Sequence, residues 1–202
     1  MQFTGPDVPT VLLTDALKQV RLGDVGIMGP TTCSGRGIVW FGRHWASHCW
    51  VFYRDFETGS VRICEQIWPE GRTVPADWYL PACPSGLVVV YRPAWTSRHY
   101  REKALRWMLA NVPGTPYDQR GIWRNLATYT PGVRGFFRPN YNDEANGEDK
   151  RPLYCSGMVS RFLRMGGLDP AHGFADNWTE PSDIAKSAVL QPQFRIVLEE
   201  ES

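Results

Sequence analysis

The sequence has no excess of charge of either sign. Its 202 residues include 22 lysines and arginines and 21 aspartates and glutamates, which leaves a formal net charge of +1. Proteins that bind nucleic acids or anionic membrane surfaces usually concentrate positive charge for that purpose. We therefore expect neither a nucleic acid nor an anionic membrane surface among the partners of this protein.

The sequence also lacks long apolar runs. No stretch approaches the roughly 18 uninterrupted apolar residues that indicate a membrane-spanning helix. The start of the chain, Met1 to Thr10, has no basic region followed by an apolar run, which a signal peptide requires. We therefore expect no transmembrane segment, and a location that is cytoplasmic or reached by export or delivery without a signal peptide.

Paired cysteines are a third absence. The five cysteines lie at positions 33, 49, 64, 83 and 155 and form no CxxC pair. This odd and scattered set argues against a disulfide framework and against a zinc ribbon. A metal site built from His44, His48, Cys49 and Cys64 would follow no established zinc-ligand spacing. We therefore expect free thiols, no metal and no cofactor.

The patterning of the chain predicts a single α+β domain over residues 1–202, because runs of strands lie between separate helices. A chain of this length buries a core that needs no disulfide or metal. Residues 113–152 are dense in Gly, Pro, Asn and Arg, and we expect there a long irregular segment, either a functional loop or disordered. The predicted helices cover 13–20, 97–110, 155–165 and 183–190, and the predicted strands cover 25–28, 48–53, 61–67, 86–91 and 194–198.

Cys155 lies at the head of one predicted helix. Pro152 precedes that helix and Gly166 follows it, as is typical of helix boundaries. A thiolate in the first turn is stabilised by the helix dipole, which lowers a thiol pKa from about 8.5 to about 3.5–7.5. The alternative is a buried core cysteine, and position alone leaves the two readings even. One apolar stripe of the helix contains Cys155, Met158, Val159, Phe162 and Leu163.

Strand alternation brings a histidine and a carboxylate to the same face of a predicted hairpin. His48 shares its face with Trp50, and Glu65 shares its face with Ile63, so the carboxylate needs a partner. A turn centred near Phe56–Glu57 places His48 almost opposite Glu65, although a slip of one residue would reverse the faces. Each residue alone is more typical of a structural role. Together with Cys155 they supply a thiolate, a base and a group that orients the base.

The order of short motifs along the chain resembles a known family. The motifs are Gly23-Asp24-Val25, Ser47-His48, Glu65, Gly114-Thr115-Pro116-Tyr117-Asp118, Tyr154-Cys155-Ser156-Gly157 and Pro181-Ser182-Asp183. From about Asp24 to Ile184 they resemble the circularly permuted NlpC/P60 proteins, which are papain-like cysteine amidases, and within them the YiiX/YaeF-like branch. The resemblance implies a papain-like fold in which the Cys155 helix packs on a small antiparallel sheet that carries His48 and Glu65.

The resemblance also implies the chemistry of the site. Cys155 would be the nucleophile, His48 its base and Glu65 the residue that orients His48. Peptidoglycan-cleaving members commonly have an Asp before the Cys that helps to bind a free amine, whereas here Tyr154 offers an aromatic face and a hydroxyl. The candidate substrate-binding residues are Tyr117, Tyr154 and Ser156, and Asp24 is expected to cap a loop.

Three functions remain open at this level. The first is a cysteine amidase or endopeptidase that acts through an acyl thioester on a cell-wall or related peptide. The second is a lipid-directed acyltransferase or thioesterase, since the permuted group includes lecithin retinol acyltransferase-like enzymes. The third is a non-catalytic binding module on the same fold. The expected partner is a peptide or acyl substrate, and the sequence does not indicate the oligomeric state.

Overall fold

The computed structural model describes residues 4–30, 36, 39, 44–83, 87–127, 152–172 and 176–198. Runs of strands lie between separate helices, as predicted for an α+β fold. In chain order they are β1 (Thr10–Leu12), α1 (Leu13–Gln19), β2 (Val25–Met28), β3 (His48–Arg54), β4 (Val61–Gln66), β5 (Gly71–Pro75), α2 (Ala76–Tyr79), β6 (Val88–Pro93), α3 (Arg98–Asn111), α4 (Gln119–Ala127), α5 (Cys155–Met165), a 3-10 helix (Asp176–Trp178), α6 (Pro181–Lys186) and β7 (Leu190–Val197).

The strands form one seven-stranded sheet in the order β1-β7-β6-β2-β3-β4-β5. Neighbouring strands run antiparallel, except that β1 runs parallel to β7. The sheet together with the helices on it confirms the α+β class. The sheet is larger than the small one that the family resemblance implied, because β5, β7 and β1 extend it at its two edges.

The two faces of the sheet carry different helices, and each face has its own apolar core. On one face, Cys49, Val51 and Cys64 pack with Met158 and other residues of α5 and α3. On the opposite face, a second cluster joins the sheet to α1 and α2. That second cluster includes Trp50, Phe52, Ile63, Ala16, Ala76 and Leu80. The alternation of side chains along β3 and β4 therefore sets which residues meet the helix that carries Cys155.

The β3–β4 hairpin keeps the predicted faces but differs in register. Val51 pairs with Cys64, which centres the turn at Glu57–Thr58, one residue later than predicted. His48 and Glu65 are thus diagonal neighbours on one face instead of nearly opposite each other. The turn is fixed by Asp55, whose carboxylate accepts the backbone N–H groups of residues 57 and 58.

Five elements lie where no helix or strand was predicted, and β1 and the 3-10 helix are two of them. The strand β5 and the short helix α2 lie between the predicted strands 61–67 and 86–91. Helix α4 lies inside the predicted irregular segment 113–152, of which residues 128–151 are outside the described part. Its start is capped by Asp118, whose carboxylate accepts the Gly121 N–H at 2.8 Å. The apolar residues of α4 do recur at helical spacing, a signal that the sequence analysis missed.

Among the residues that the structure describes, no helix is both long enough and apolar enough to cross a membrane.

Candidate active site

Cys155 is the first residue of α5, as the apolar stripe predicted. Tyr154 precedes it in an extended conformation, and Met158 is the first residue whose N–H bonds back to this turn, at 2.9 Å from the Tyr154 oxygen. The backbone N–H groups of the first turn therefore lack helical acceptors. The Cys155 side chain faces the sheet and is only 3% exposed.

Gly157 allows the start of α5 to lie close to the 3-10 helix. A Cβ atom added at Gly157 would lie 2.9 Å from the backbone oxygen of Asp176, closer than real Cβ contacts. One turn later, the Ser160 hydroxyl donates to the Asp176 carboxylate at 2.6 Å. The 3-10 helix therefore packs closely against α5. This close packing explains why the residue after Cys155 and Ser156 is a glycine.

His48 connects the helix to the sheet. It is the first residue of β3, so its ring lies at the end of the strand, where it reaches past the sheet toward α5. Its Nε2 atom lies 2.7 Å from Glu65 Oε2. The ring also hydrogen-bonds Cys155. Since Nε2 is engaged by Glu65, Nδ1 is the nitrogen left for the sulfur.

Glu65 is fully buried, and its carboxylate is saturated by donors. Besides His48, the Tyr79 hydroxyl donates to Oε2 at 2.8 Å. Arg72, which pairs directly with Glu65 across the β4–β5 ladder, donates to Oε1 through Nε at 2.9 Å and through a terminal nitrogen at 2.8 Å. Burial alone would raise the Glu65 pKa, but these donors hold it below its usual value.

The sulfur and the imidazole form an ion pair. The largest effect on the Cys155 pKa is a hydrogen bond from the Cys49 thiol, which lowers it. Burial raises this pKa, and the positive charge of His48 lowers it further. The Cys155 pKa therefore falls well below its usual value. Burial alone would lower the His48 pKa, but the Cys155 thiolate and the Glu65 carboxylate raise it to about 10. Both pKa shifts favour the thiolate and the imidazolium over the neutral pair, and the thiolate is the nucleophilic form of a cysteine.

Cys49 is a part of the site that the sequence analysis missed. It follows His48 in β3, so it faces the opposite side of the sheet, where α5 packs. Burial and then the Cys155 thiolate raise the Cys49 pKa well above its usual value, so this thiol stays protonated and donates. Arg72 and Tyr79 were missed as well, since they lie in elements that were not predicted. For these three residues, the only signal in the sequence was strand alternation, which places Cys49 on the sheet face opposite to that of His48.

The three candidate substrate-binding residues differ in position. Tyr117 forms a β-bridge with Leu153 and lies near Cys155; burial and then the thiolate raise its pKa, so the phenol stays protonated. Tyr154 and Ser156 are buried. The Tyr154 ring packs near Gly121, 3.3 Å from the position of a Cβ added there. All three assignments stay predictions, and Tyr117 borders an open concavity.

That concavity has a volume of about 410 Å³ and is bordered by Pro152, three residues before Cys155. Tyr117, Trp68, Asp118 and Arg120 contribute to its lining, with Pro69 and Pro152. Trp68 is 66% exposed, which leaves its ring available to a bound molecule. The lining combines aromatic surface with charges of both signs, which suits a polar chain such as a peptide better than a purely apolar one.

Comparison with known proteins gives a fold but no sequence family. No protein-family model and no curated protein matches the chain. Among solved structures, the chain is similar to the crystal structure of the metalloprotein YiiX from Escherichia coli O157:H7, described as DUF1105, with a TM-score of 0.61 and 13% identity. The match covers 86% of this chain and 96% of that chain. The protein thus has a YiiX-like α+β fold, which confirms that part of the predicted resemblance.

Proposed function

We propose that this protein is a cysteine hydrolase that cleaves an amide bond through an acyl thioester on Cys155. The observation that best supports this proposal is the continuous hydrogen-bonded chain from Cys155 through His48 to the buried Glu65. We further propose that the frame is the papain-like, circularly permuted NlpC/P60 arrangement. The resemblance of the ordered motifs supports that assignment, as does a cysteine at a helix head facing a histidine on an antiparallel sheet.

The proposed reaction begins with attack of the Cys155 thiolate on the substrate carbonyl carbon. The negative charge that develops on the carbonyl oxygen is stabilised by a hydrogen bond that the Cys155 backbone N–H donates in the first turn of α5, where the helix dipole also favours it. His48 then gives its proton to the leaving nitrogen, the C–N bond breaks, and an acyl thioester remains on Cys155.

Hydrolysis of the thioester completes the cycle. Neutral His48 takes a proton from water as the water oxygen attacks the acyl carbon, and the C–S bond breaks to release the carboxylic acid and the thiolate. The imidazolium that results is stabilised by Glu65. Arg72 and Tyr79 keep the carboxylate in place, so that the ring of His48 holds one orientation throughout.

We propose a cell-wall or related peptide as the substrate. The concavity that contains Trp68 and Tyr117 supports a peptide, because aromatic faces and charges of both signs accommodate a polar backbone with charged side chains. Digestion of purified wall peptides by the wild-type protein and by Cys155→Ala, followed by mass spectrometry, tests this. New termini at one amide bond in the wild-type digest alone are the expected result.

The same assay separates the alternatives when an acyl lipid is tested beside the peptides. Release or transfer of the acyl group with intact peptides would favour the lipid-directed enzyme. Saturable binding of peptide without cleavage, unchanged in Cys155→Ala, would favour the non-catalytic module. Cys83→Ala is a matched control, because Cys83 is also buried but belongs to the core on the other face of the sheet.

YiiX is described as a metalloprotein, which raises the question whether the residues of this site could hold a metal. Within the described ranges, no group of three or more His, Cys, Asp and Glu side chains is placed to hold a metal ion. Glu65, the carboxylate at the site, already accepts from His48, Arg72 and Tyr79. The residues present do not fit a metal, and the proposed reaction has no step that uses one.

A further inference from the structure

A second concavity, of about 590 Å³, lies at the opposite end of the sheet from Cys155. It is bordered by the end of α1 and the turn after it, and by β3, β6, α3 and β7. His48 and Arg54 are the two ends of β3, six residues apart, so about 20 Å separates the two sites. Five lining side chains are cationic: Lys18, Arg21, Arg54, Arg92 and Arg101. In a chain with a net charge of +1, this is a strong local concentration.

Part of this cluster has a structural role. Arg92 forms a salt bridge with the buried Asp24 at 2.8 Å, and Lys18 pairs with Asp15 at 2.9 Å. Arg54 donates to the carbonyl oxygens of Leu17 and Val20, both at 3.4 Å, and so closes the end of α1. Among the described residues, however, Arg54 forms no salt bridge with a carboxylate.

Two further arginines have no such role. Arg21 is exposed and makes no salt bridge among the described residues. The Arg101 Nε atom is buried without a hydrogen-bond partner, while the adjacent Glu102 pairs with Arg98 instead. The Trp95 Nε1 atom is also buried and unpartnered. A Cβ added at Gly23 would lie 3.4 Å from both the Arg101 side chain and Trp95 Nε1, so these two donor-bearing side chains flank the same glycine.

Buried N–H donors without an acceptor are rare in proteins and commonly mark the place of a water or an ion. Here the buried Arg101 Nε donor belongs to a side chain that lines the pocket, and among the described residues Arg21, Arg54 and Arg101 form no salt bridge with a carboxylate. Guanidinium groups bind phosphate and carboxylate through paired N–H donors. A single carboxylate would neutralise one of the three charges, whereas a phosphomonoester or a pyrophosphate would neutralise about two or more.

We propose that this pocket is a binding site for a small molecule that carries a phosphomonoester or pyrophosphate group. The volume lies within the range of small-molecule sites, roughly 300–1,000 Å³, so the ligand extends beyond the phosphate itself. The site is independent of the Cys155 chemistry and goes beyond the proposed hydrolase function. The phosphate belongs either to a soluble metabolite or to a lipid headgroup.

Calorimetric titration of the full chain with pyrophosphate at low salt tests the proposal. We expect saturable binding that weakens with added salt, and a loss of affinity of about tenfold or more in Arg101→Gln and in Arg21→Gln. Arg106→Gln is the matched control, since Arg106 is exposed on the same helix as Arg101 but does not line the pocket. Its affinity should equal that of the wild type.

Co-sedimentation with vesicles identifies the source of the phosphate. Binding to phosphatidic acid vesicles but not to phosphatidylcholine vesicles, lost in Arg101→Gln, would assign a lipid headgroup; binding of pyrophosphate alone would assign a soluble ligand. No binding to either probe, or equal losses in Arg106→Gln, would overturn the proposal. Cys155→Ala should bind as the wild type does, so a failure here is distinct from a failure of the hydrolase proposal.

Discussion

At the scale of single residues, the site depends on how one buried carboxylate keeps its charge. Glu65 has no exposed surface and would be costly to bury alone. Arg72 and Tyr79 donate hydrogen bonds to the Glu65 carboxylate, and His48 contacts it as well. The carboxylate is therefore kept both ionised and in one position. That fixed charge favours the imidazolium, and the imidazolium in turn favours the thiolate on Cys155.

The variant Glu65→Gln should lower activity strongly. The amide keeps the shape but removes the negative charge that stabilises the imidazolium, and we expect a loss in kcat on the order of 10²–10⁴. Gln66 cannot replace Glu65, because adjacent strand residues face opposite sides of the sheet and Gln66 reaches toward the Thr115 oxygen. Turnover of the amide substrate by Glu65→Gln, compared with Glu57→Gln in the exposed hairpin turn, measures this.

The same substitution should change how stability depends on pH. The Glu65 pKa is lowered from its usual 4.5 in the folded state, so its contribution is present above pH 4.5 and is lost as pH falls through the folded value. Urea unfolding at neutral pH and at acidic pH should show a smaller difference for Glu65→Gln than for the wild type. An unchanged difference would contradict the ionised, paired state of Glu65.

Cys49 should lower the pKa of the nucleophile Cys155 without itself reacting. Because its thiol donates a hydrogen bond to the Cys155 thiolate, Cys49→Ala should raise the Cys155 pKa. The rate of alkylation of Cys155 as a function of pH should then have its midpoint at higher pH than in the wild type. Cys64→Ala is the control, since Cys64 is buried on the same face in the neighbouring strand. Equal midpoints in the Cys49 variant and the wild type would refute this role.

At the scale of elements, the head of α5 is held by its contact with the 3-10 helix. Gly157→Ala improves helix propensity by about 1 kcal/mol, but its Cβ would collide with a backbone oxygen that no rotamer change can move. We expect a net destabilisation of roughly 1–3 kcal/mol, as for other overpacked sites. Chemical denaturation measures the free energy of unfolding. A variant as stable as the wild type would show that the two helices separate easily.

The same scale explains what the sequence could predict. Strand alternation depends only on local geometry, so the shared face of His48 and Glu65 followed from the residues, although the register differed. The position of Cys155 at a helix head followed from the apolar stripe. Arg72 and Tyr79 could not be found, because their place beside Glu65 depends on β5 pairing and on α2 packing. The contact of Cys49 with Cys155 depends on how α5 lies on the sheet.

At the scale of the whole molecule, the sheet separates two cores and carries two distinct polar sites. Cys155 and its partners lie at the end of the sheet where β3 begins, and the arginine pocket lies where β3 ends. The net charge of +1 does not reveal this division, because the cationic residues of the pocket are offset by acidic residues elsewhere in the chain. The YiiX-like fold accounts for the frame, and the side chains of this chain account for both sites.

The central claim is that Cys155, activated by His48, carries an acyl group. Incubation with a small activated acyl ester, rapid acid quenching and peptide mapping by mass spectrometry measure it directly. We predict one acyl group per chain on Cys155, none there in Cys155→Ala, and acylation of His48→Ala slowed by at least about a hundredfold. Acylation of Cys33 or Cys49 in place of Cys155, or an unchanged rate in His48→Ala, would contradict the account.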